Sequence, residues 1–182
     1  MPTPSTNDLP LAVDLDGTLI RTDVFARQLL SFVAREPWRV PQLLVWFARG
    51  RAYVKARLAG YAPDPATLPY DERVLAWLQA ERARGRTIVL ASASDRRAVE
   101  AVAAHVGVFD AVFASDGRTN LKARRKAEAL KAAFPQGFVY AGNESADLAV
   151  WEAAAGVVLV NCDPALARKC RSRFAIECSF PR

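Results

Sequence analysis

The chain has 182 residues, of which 52% are apolar, and 25 Lys and Arg against 19 Asp and Glu give a formal charge of +6. This composition fits one globular domain with a small insert and excludes intrinsic disorder. No apolar run reaches the roughly 18 residues that a membrane span needs. The N-terminus also lacks the basic and apolar segments of a signal peptide, so we expect a soluble, unexported protein. Residues 1–10 are expected to form a loose arm.

The composition also limits the chemistry. A single histidine, His105, lies in a helical-looking stretch and excludes a multi-histidine metal site, and we interpret it as an ordinary helix residue rather than a catalytic base. The three cysteines lack CxxC spacing, which predicts reduced cytosolic thiols rather than disulfides or a zinc site: Cys162, Cys170 and Cys178. Catalysis would therefore depend on carboxylates, hydroxyls and lysines.

Five short apolar runs, each followed by a helix-like pattern, predict alternating strands and helices. The predicted strands are Leu11–Leu15, Thr87–Ala91, Ala111–Ala114, Phe138–Ala141 and Val157–Val160. The predicted helices are Asp71–Arg84, Asp95–Val106, Lys122–Phe134, Ala146–Ala155 and Pro164–Arg171. Such alternation predicts an α/β fold, an open parallel sheet with helices on both faces. Ligands of these sheets bind beyond the carboxyl ends of the strands.

The interval between the first two strands is too long for a simple crossover. Three amphipathic segments predict a small helical cap inserted there: Asp23–Ala34, Pro37–Ala48 and Arg51–Ala59. We assign residues 21–67 to the cap and residues 1–20 and 68–182 to the core. The segment Arg21–Gly60 has eight basic and two acidic residues and so carries the whole net charge. Because the segment has no nucleic-acid-binding module, no nucleic-acid partner is expected. Its basic residues could meet an anionic substrate or anionic lipid headgroups, and the alternative is an ordinary solvated basic face.

The first predicted strand ends in the sequence DLDGT, in which Asp14 and Asp16 point the same way at the carboxyl edge. Two like charges this close need a cation or a bound proton. The pair therefore predicts Mg²⁺ binding, acid–base catalysis or both, and a solvated Asp-Gly turn is the alternative.

Polar residues also follow the second and third predicted strands. LASASD places Ser92 and backbone N–H groups at a helix start, an anion-binding arrangement, with Ser94 or Asp95 as the helix cap. Lys122 is expected in the first turn of the next helix, where a cation opposes the helix dipole. That unfavourable placement makes it the preferred functional lysine, and Lys126, one turn later, is the alternative.

The fourth predicted strand is followed by GNESAD, in which Asn143 and Asp147 carry oxygens suited to Mg²⁺. Asp147 could instead be a first-turn carboxylate that the helix dipole stabilises. Four consecutive strand ends thus offer polar side chains to one edge, and their joint occurrence is far more specific than any one of them.

In this order, DLDGT, LASAS, the lysine of NLK and GNESAD resemble the four motifs of the haloacid dehalogenase superfamily, over essentially the whole chain. The helical insert is similar to the C1-type cap of its phosphoserine-phosphatase-like members. More narrowly, SDGRTNLKARRKAEAL and YAGNESADLAVW resemble the domain that precedes UbiA-type prenyltransferases.

The resemblance implies a Mg²⁺-dependent phosphomonoester phosphatase with an aspartyl-phosphate intermediate. Asp14 would be the nucleophile and Asp16 the general acid and base. Ser92 and Lys122 would hold the phosphoryl oxygens. The implied substrate-binding residues are Gly17, Thr18, Ala93 and Ser94. The implied Mg²⁺ ligands are Asp14, Asp16 through its backbone carbonyl, and Asn143 and Asp147 of the fourth motif, where Asp147 could take the direct role in place of Asn143.

Two residues depart from the family pattern. Asn143 stands where an acidic residue is usual, and Ala123 stands where the narrower family often has Gly. A neutral ligand binds Mg²⁺ more weakly, so the alternative function is a catalytically weak regulatory or interaction domain associated with a membrane prenyltransferase. The narrower resemblance implies a sugar phosphate or prenyl-phosphoryl sugar phosphate as substrate. It also implies a membrane prenyltransferase partner and a cytoplasmic location at the inner face of the membrane.

Overall fold

The computed structural model describes residues 8–182, and its centre is a six-stranded sheet in the order β3-β2-β1-β4-β5-β6. The strands are β1 (Leu11–Val13), β2 (Ile88–Asp95), β3 (Ala111–Ser115), β4 (Val139–Gly142), β5 (Gly156–Val160) and β6 (Ile176–Phe180). All neighbouring pairs are parallel. The prediction of an α/β fold with an open parallel sheet is therefore confirmed.

The first three helices after β1 form the cap: α1 (Val24–Arg35), α2 (Gln42–Ala48) and α3 (Arg51–Leu58). The remaining helices are α4 (Glu72–Ala83), α5 (Arg96–Val106), α6 (Arg124–Ala133), α7 (Leu148–Trp151) and α8 (Pro164–Arg171). Short 3-10 helices occur at Pro37–Arg39, Ala59–Tyr61, Pro65–Thr67 and Ser145–Asp147. The inserted helical cap is present as predicted, and its exact limits of 21 and 67 stay a prediction.

The sheet separates two buried apolar clusters, because successive side chains of a strand point to opposite faces. Leu11 and Val13 of β1 belong to one cluster, and Ala12 between them belongs to the other. The cap has a small core of its own, built from Phe32, Trp46, Val54 and Leu58. The core helices cover both faces of the sheet, and the cap is held together separately by four buried side chains.

Several predicted elements differ from the observed ones. The predicted second cap helix, Pro37–Ala48, is two helices in the structure: a 3-10 helix at Pro37–Arg39 and then α2. The break lies near Pro41, which has no N–H to donate to a continuous helix. The predicted helix 146–155 shrinks to a 3-10 turn and α7. Strand β6 was not predicted, since all five of its residues are only half-buried and give no buried apolar run.

The expectation of a loose arm over residues 1–10 is wrong for the last two of these residues. Leu9 is buried in the core, and the carbonyl of Pro10 accepts a hydrogen bond from the Val139 N–H at 2.8 Å. Residues 1–7 lie outside the described part of the chain.

Other composition-based predictions concern single side chains. His105 is a residue of α5 that stacks on Tyr70, with ring centroids 5.8 Å apart. All three cysteines are free thiols. Within residues 8–182, no helix is both long and apolar enough to cross a membrane.

Candidate active site

A cavity of about 580 Å³ lies at the carboxyl ends of the strands, between the core and the cap. The core residues that line it include Asp14, Asp16, Gly17, Ala93, Ser94, Asn120, Lys122, Lys126, Asn143, Glu144 and Asp147. The cap contributes Phe25, Phe47, Arg51 and Lys55. The structure thus brings most of the predicted site residues together in one pocket.

A buried ion pair forms the centre of the pocket. Lys126 Nζ donates to Asp14 Oδ1 at 2.6 Å and to the Tyr140 hydroxyl at 2.8 Å. That hydroxyl in turn donates to Asp147 Oδ1 at 2.9 Å. Both Lys126 and Tyr140 are buried, so the chain from Asp14 to Asp147 is shielded from water.

The structure corrects the expected position of Lys122. Helix α6 begins at Arg124, so Lys122 precedes the helix and is not in its first turn. Its ammonium group pairs with Glu144 at 3.0 Å on the exposed side of the pocket. The lysine that contacts Asp14 is Lys126, the alternative. The sequence signal for it is its position with Ala127 and Leu130 on the buried face of α6.

Asp16 is held by two donors. The Val24 N–H at the start of α1 donates to Oδ1 at 2.7 Å, and the Ser94 hydroxyl donates to Oδ2 at 2.8 Å. Burial raises the pKa of Asp16, the charge of Asp23 adds to this, and the two hydrogen bonds oppose it. A carboxyl group with a raised pKa is suited to proton transfer near neutral pH.

The three residues that follow Ala91 have different positions. Ala93 and Ser94 line the pocket. Ser92 is fully buried, its Oγ accepts the Ser94 N–H at 3.0 Å, and that Oγ lies 3.5 Å from Asp16 Oδ2. Asp95 caps α5 by accepting the Arg97 N–H, as the sequence suggested. Ser94 therefore supplies the hydroxyl nearest to Asp16.

Gly17 and Thr18 position Asn143. Gly17 has φ +80°, and a Cβ there would lie 2.2 Å from Asn143 Nδ2, so only glycine fits against this amide. Thr18 is fully buried, and its hydroxyl donates to Asn143 Oδ1 at 3.3 Å. Gly17 lines the pocket, whereas Thr18 supports Asn143 from within the protein, and the predicted contact of both residues with substrate stays a prediction.

Asp147 is the anchor of the loop after β4. Its Oδ2 accepts the N–H groups of Asn143 and Glu144 at 3.0 and 3.1 Å, and its Oδ1 accepts the Tyr140 hydroxyl. Since both oxygens already have donors, Asp147 fixes the loop that presents Asn143 to the pocket. Tyr140 was missed by sequence reasoning because an apolar strand normally buries a tyrosine without giving it a role.

The charges of the pocket suit a divalent cation. The pKa of Asp14 is raised to about 7, mainly because the group is buried; the charges of Asp147 and Asp16 contribute to the rise, and Lys126 opposes it. The carboxyl groups of Asp14, Asp16 and Asp147 thus lie near a single buried ammonium group, that of Lys126. An added cation would therefore favour the ionised form of Asp14. Among residues 8–182, no three Asp, Glu, His or Cys side chains form a ready metal cluster. Because both side-chain oxygens of Asp16 and of Asp147 already accept hydrogen bonds, Mg²⁺ would be held by Asp14, the backbone carbonyl of Asp16 and Asn143.

The cap places one lysine inside the pocket. Lys55 of α3 donates to the Ala93 carbonyl and, at 3.4 Å, to Asn120 Oδ1. Burial lowers the pKa of Lys55, and the charges of Asp16 and Asp23 oppose that shift. This lysine links the cap to the β2 end of the site.

Comparisons with known proteins agree with this architecture. An uncharacterized protein of Sinorhizobium fredii, y4nM, is 40% identical over 153 residues, which are 84% of this chain and 30% of that protein. The chain thus spans less than a third of this relative's length.

Solved structures share the fold at low sequence identity. A protein of unknown function from Bordetella pertussis has a TM-score of 0.68 at 17% identity, covering 92% of this chain and 96% of its own. An apo phosphoserine phosphatase has a TM-score of 0.66 at 17% identity, covering 96% and 94%. A phospho-aspartyl intermediate analogue of phosphoserine phosphatase has a TM-score of 0.63 at 16% identity, covering 96% and 94%.

The family model of haloacid dehalogenase-like hydrolases matches residues 11–152, a span that includes Asp14, Asp16, Lys126, Asn143 and Asp147. The match agrees with the four strand-end motifs and with the pocket that they form. The chain belongs to the haloacid dehalogenase-like hydrolase family.

Proposed function

We propose that the chain is a Mg²⁺-dependent phosphomonoester phosphatase that acts through an aspartyl phosphate on Asp14. The observation that carries the proposal is the contact of Asp14 with buried Lys126, beside a second carboxyl group on Asp16. This arrangement offers a nucleophile, a fixed positive charge and a proton donor within one pocket.

In the first step, Asp14 Oδ2 attacks phosphorus and the bond from phosphorus to the ester oxygen breaks. Oδ1 remains bound to Lys126, which orients the free oxygen. Asp16 gives its proton to the leaving oxygen, a role that its raised pKa supports. In the second step, Asp16 removes a proton from water, which attacks phosphorus and releases phosphate from Asp14.

The phosphoryl oxygens need donors and positive charge as the transfer proceeds. Lys126 takes the role that the sequence assigned to Lys122, and Ser92 and Ser94 provide the nearby hydroxyls. Mg²⁺, when bound by Asp14, Asp16 and Asn143, would neutralise phosphoryl charge. Asp147 and Thr18 would act by holding Asn143.

The substrate that we propose is a small phosphorylated molecule with further polar or anionic groups. The cavity of about 580 Å³ is large enough for a sugar phosphate, and Lys55 and Arg51 add positive charge on the cap side. The narrower sequence resemblance extends this proposal to a prenyl-phosphoryl sugar phosphate. It also suggests a membrane prenyltransferase partner at the inner face of the membrane.

The test is Mg²⁺-dependent release of phosphate from phosphomonoesters, including soluble sugar phosphates and a polyprenyl-phosphoryl pentose phosphate. Turnover should vanish with Asp14→Asn and with a chelator. The matched control is Asp116→Asn, which changes an exposed aspartate outside the pocket. Equal rates on lipid-linked and soluble substrates would count against the lipid-linked substrate.

A second candidate function is a regulatory or interaction domain with little turnover. The observation that favours it is the neutral Asn143 at the predicted Mg²⁺ site. Folded protein without phosphatase turnover on any substrate, and without detectable Mg²⁺ binding, would favour this reading over the phosphatase.

A further inference from the structure

The cap exposes an unusual amount of apolar surface. Among residues 8–182, the large apolar side chains left exposed are all in the cap, and four of them fall within ten residues of sequence. These four are Trp38 (73% exposed), Leu44 (77%), Val45 (57%) and Phe47 (44%). We call them the α2 surface. Single exposed apolar residues are normal, but such a concentration marks an interaction site.

The α2 surface is not needed for the cap's own stability. Trp46, on the opposite side of α2, packs against Phe32 with ring centroids 5.3 Å apart, and both belong to the buried cap core. The exposed residues Leu44 and Phe47 lie three positions apart, which places them on one side of this short helix. The cap core is therefore closed without them.

The sequence interval that contains α2 carries only positive charge. No acidic residue occurs between Glu36 and Asp64, whereas this interval contains Arg39, Arg49, Arg51, Lys55 and Arg57. Arg39 and Arg49 stand on either side of α2 in the sequence. Arg49 and Arg57 contact the neutral Tyr53 hydroxyl, which leaves their charge uncompensated at that contact. Arg39 is paired with Glu36, so the positive charge that remains beside the helix comes from Arg49 and Arg57.

We propose that the α2 surface docks onto an anionic lipid bilayer. Exposed Trp, Leu and Phe side chains enter the boundary between headgroups and acyl chains, while flanking arginines bind the lipid phosphates. A second copy of the chain is a poor occupant, because the two positive segments would repel each other. An acidic protein would match the charge but would not require four exposed apolar side chains.

The position of the surface relative to the pocket has a further consequence. Phe47 belongs to the α2 surface and also lines the cavity. Arg51, three residues beyond the end of α2, lines the cavity as well. Docking therefore brings the cavity next to the headgroups. The proposal concerns binding alone and stands whether or not the pocket hydrolyses phosphomonoesters.

The experiment is sedimentation of the full chain with vesicles of phosphatidylcholine alone or mixed with phosphatidylglycerol. We expect binding only to the mixed vesicles, and weaker binding at high salt because exposed charges are screened. The emission of Trp38 should shift to shorter wavelength on binding, and Trp38→Phe should remove that part of the shift. Absence of binding to the mixed vesicles at low salt would overturn the proposal.

Two double variants separate the contributions. Trp38→Ser with Leu44→Ser should weaken vesicle binding by at least about tenfold through lost apolar burial. Arg49→Gln with Arg57→Gln should weaken it by about 30-fold through two lost charges. The charge control is Arg168→Gln with Lys169→Gln on exposed positions of α8.

The apolar control is Leu30→Ser, which removes an equally exposed leucine from α1. Loss in this control equal to that of the α2 variants would overturn the assignment to α2. A concentration-dependent dimer that Leu44→Ser abolishes, without vesicle binding, would instead identify a second copy as the occupant. Vesicle binding unchanged in both double variants would also contradict the proposal. Circular dichroism of each variant establishes that it is folded.

Discussion

The Nζ atom of Lys126 lies 2.6 Å from Oδ1 of Asp14, although 112 positions separate the two residues in sequence. Strand β1 delivers the carboxylate and α6 delivers the lysine, and Tyr140 on β4 supports the lysine from the other side. The contact joins three elements at one point of the sheet edge. It also fixes which oxygen of Asp14 is left to react.

We therefore expect Lys126→Met to abolish most phosphatase turnover. Methionine preserves the length of the side chain but leaves Asp14 and the phosphoryl group without their positive charge. Loss of one preorganised donor of this type typically lowers kcat by about 100- to 1000-fold. The measurement is Mg²⁺-dependent phosphate release on the preferred substrate.

Lys122→Met is the matched control for this prediction. Lys122 is exposed and pairs with Glu144, so its loss should change turnover by no more than about threefold, in line with the small energies of surface ion pairs. The opposite ranking of the two variants would contradict the assignment of Lys126. Thermal unfolding of both variants separates lost chemistry from lost folding.

The fold and the location of the site were predictable because both depend on short patterns. Apolar runs such as Val157–Val160 identify buried parallel strands, and the polar residues after them identify the sheet edge. The choice between Lys122 and Lys126 depended on where α6 begins, and helix starts are poorly defined by sequence. The supporting role of Tyr140 depends on a tertiary contact, which no local pattern reveals.

A second prediction concerns the metal. Asn143→Asp should strengthen Mg²⁺ binding, because a carboxylate replaces a neutral amide beside Asp14 and the side chain keeps its size against Gly17. We expect the Mg²⁺ concentration for half-maximal turnover to fall by roughly tenfold. Calorimetric titration with Mg²⁺ provides a readout independent of turnover.

The control for this variant is Asn120→Asp, which adds the same charge to another part of the pocket lining. It should leave Mg²⁺ affinity nearly unchanged, because Asn120 faces Lys55 and is not in the proposed set of ligands. If both variants raised the affinity equally, the effect would be general electrostatics and the assignment of Asn143 would be wrong.

The backbone at Ala123 supports a third prediction. Ala123 precedes α6 with φ 51° and ψ −119°, a conformation that favours glycine. Relief of this strain should outweigh the extra chain entropy of glycine. Ala123→Gly should therefore raise the free energy of unfolding by about 1 kcal/mol.

Urea unfolding of this variant is compared with that of Ala132→Gly, inside the last turns of α6. Glycine at position 132 should lower stability by roughly 0.5–1 kcal/mol, since the backbone there is helical. Destabilisation by both substitutions would show that position 123 is not strained.

The last prediction concerns Asp71, the buried N-cap of α4. Arg73 donates to Asp71 Oδ2 at 2.7 Å, and Asn161 Nδ2 donates to the same atom at 3.1 Å. The hydrogen bond from Arg73 is the main reason that the pKa of Asp71 lies below its usual range. Asp71→Asn should lower the free energy of unfolding at pH 7 by about 2–3 kcal/mol.

The pH dependence of this difference follows from the direction of the pKa shift. A carboxyl group whose pKa is lower in the folded protein stabilises the fold fully above its unfolded pKa of about 3.9, and loses that stabilisation as the pH falls towards the folded value. Urea unfolding should therefore show the full difference between wild type and Asp71→Asn at pH 7 and pH 5, and a smaller one at pH 3.

The control is Asp64→Asn, since Asp64 caps a short 3-10 helix without an arginine partner. Asparagine caps helices about as well as aspartate, so only the variant that loses Arg73 pairing should be destabilised. Equal stability of the two variants at pH 7 would show that the ion pair contributes nothing.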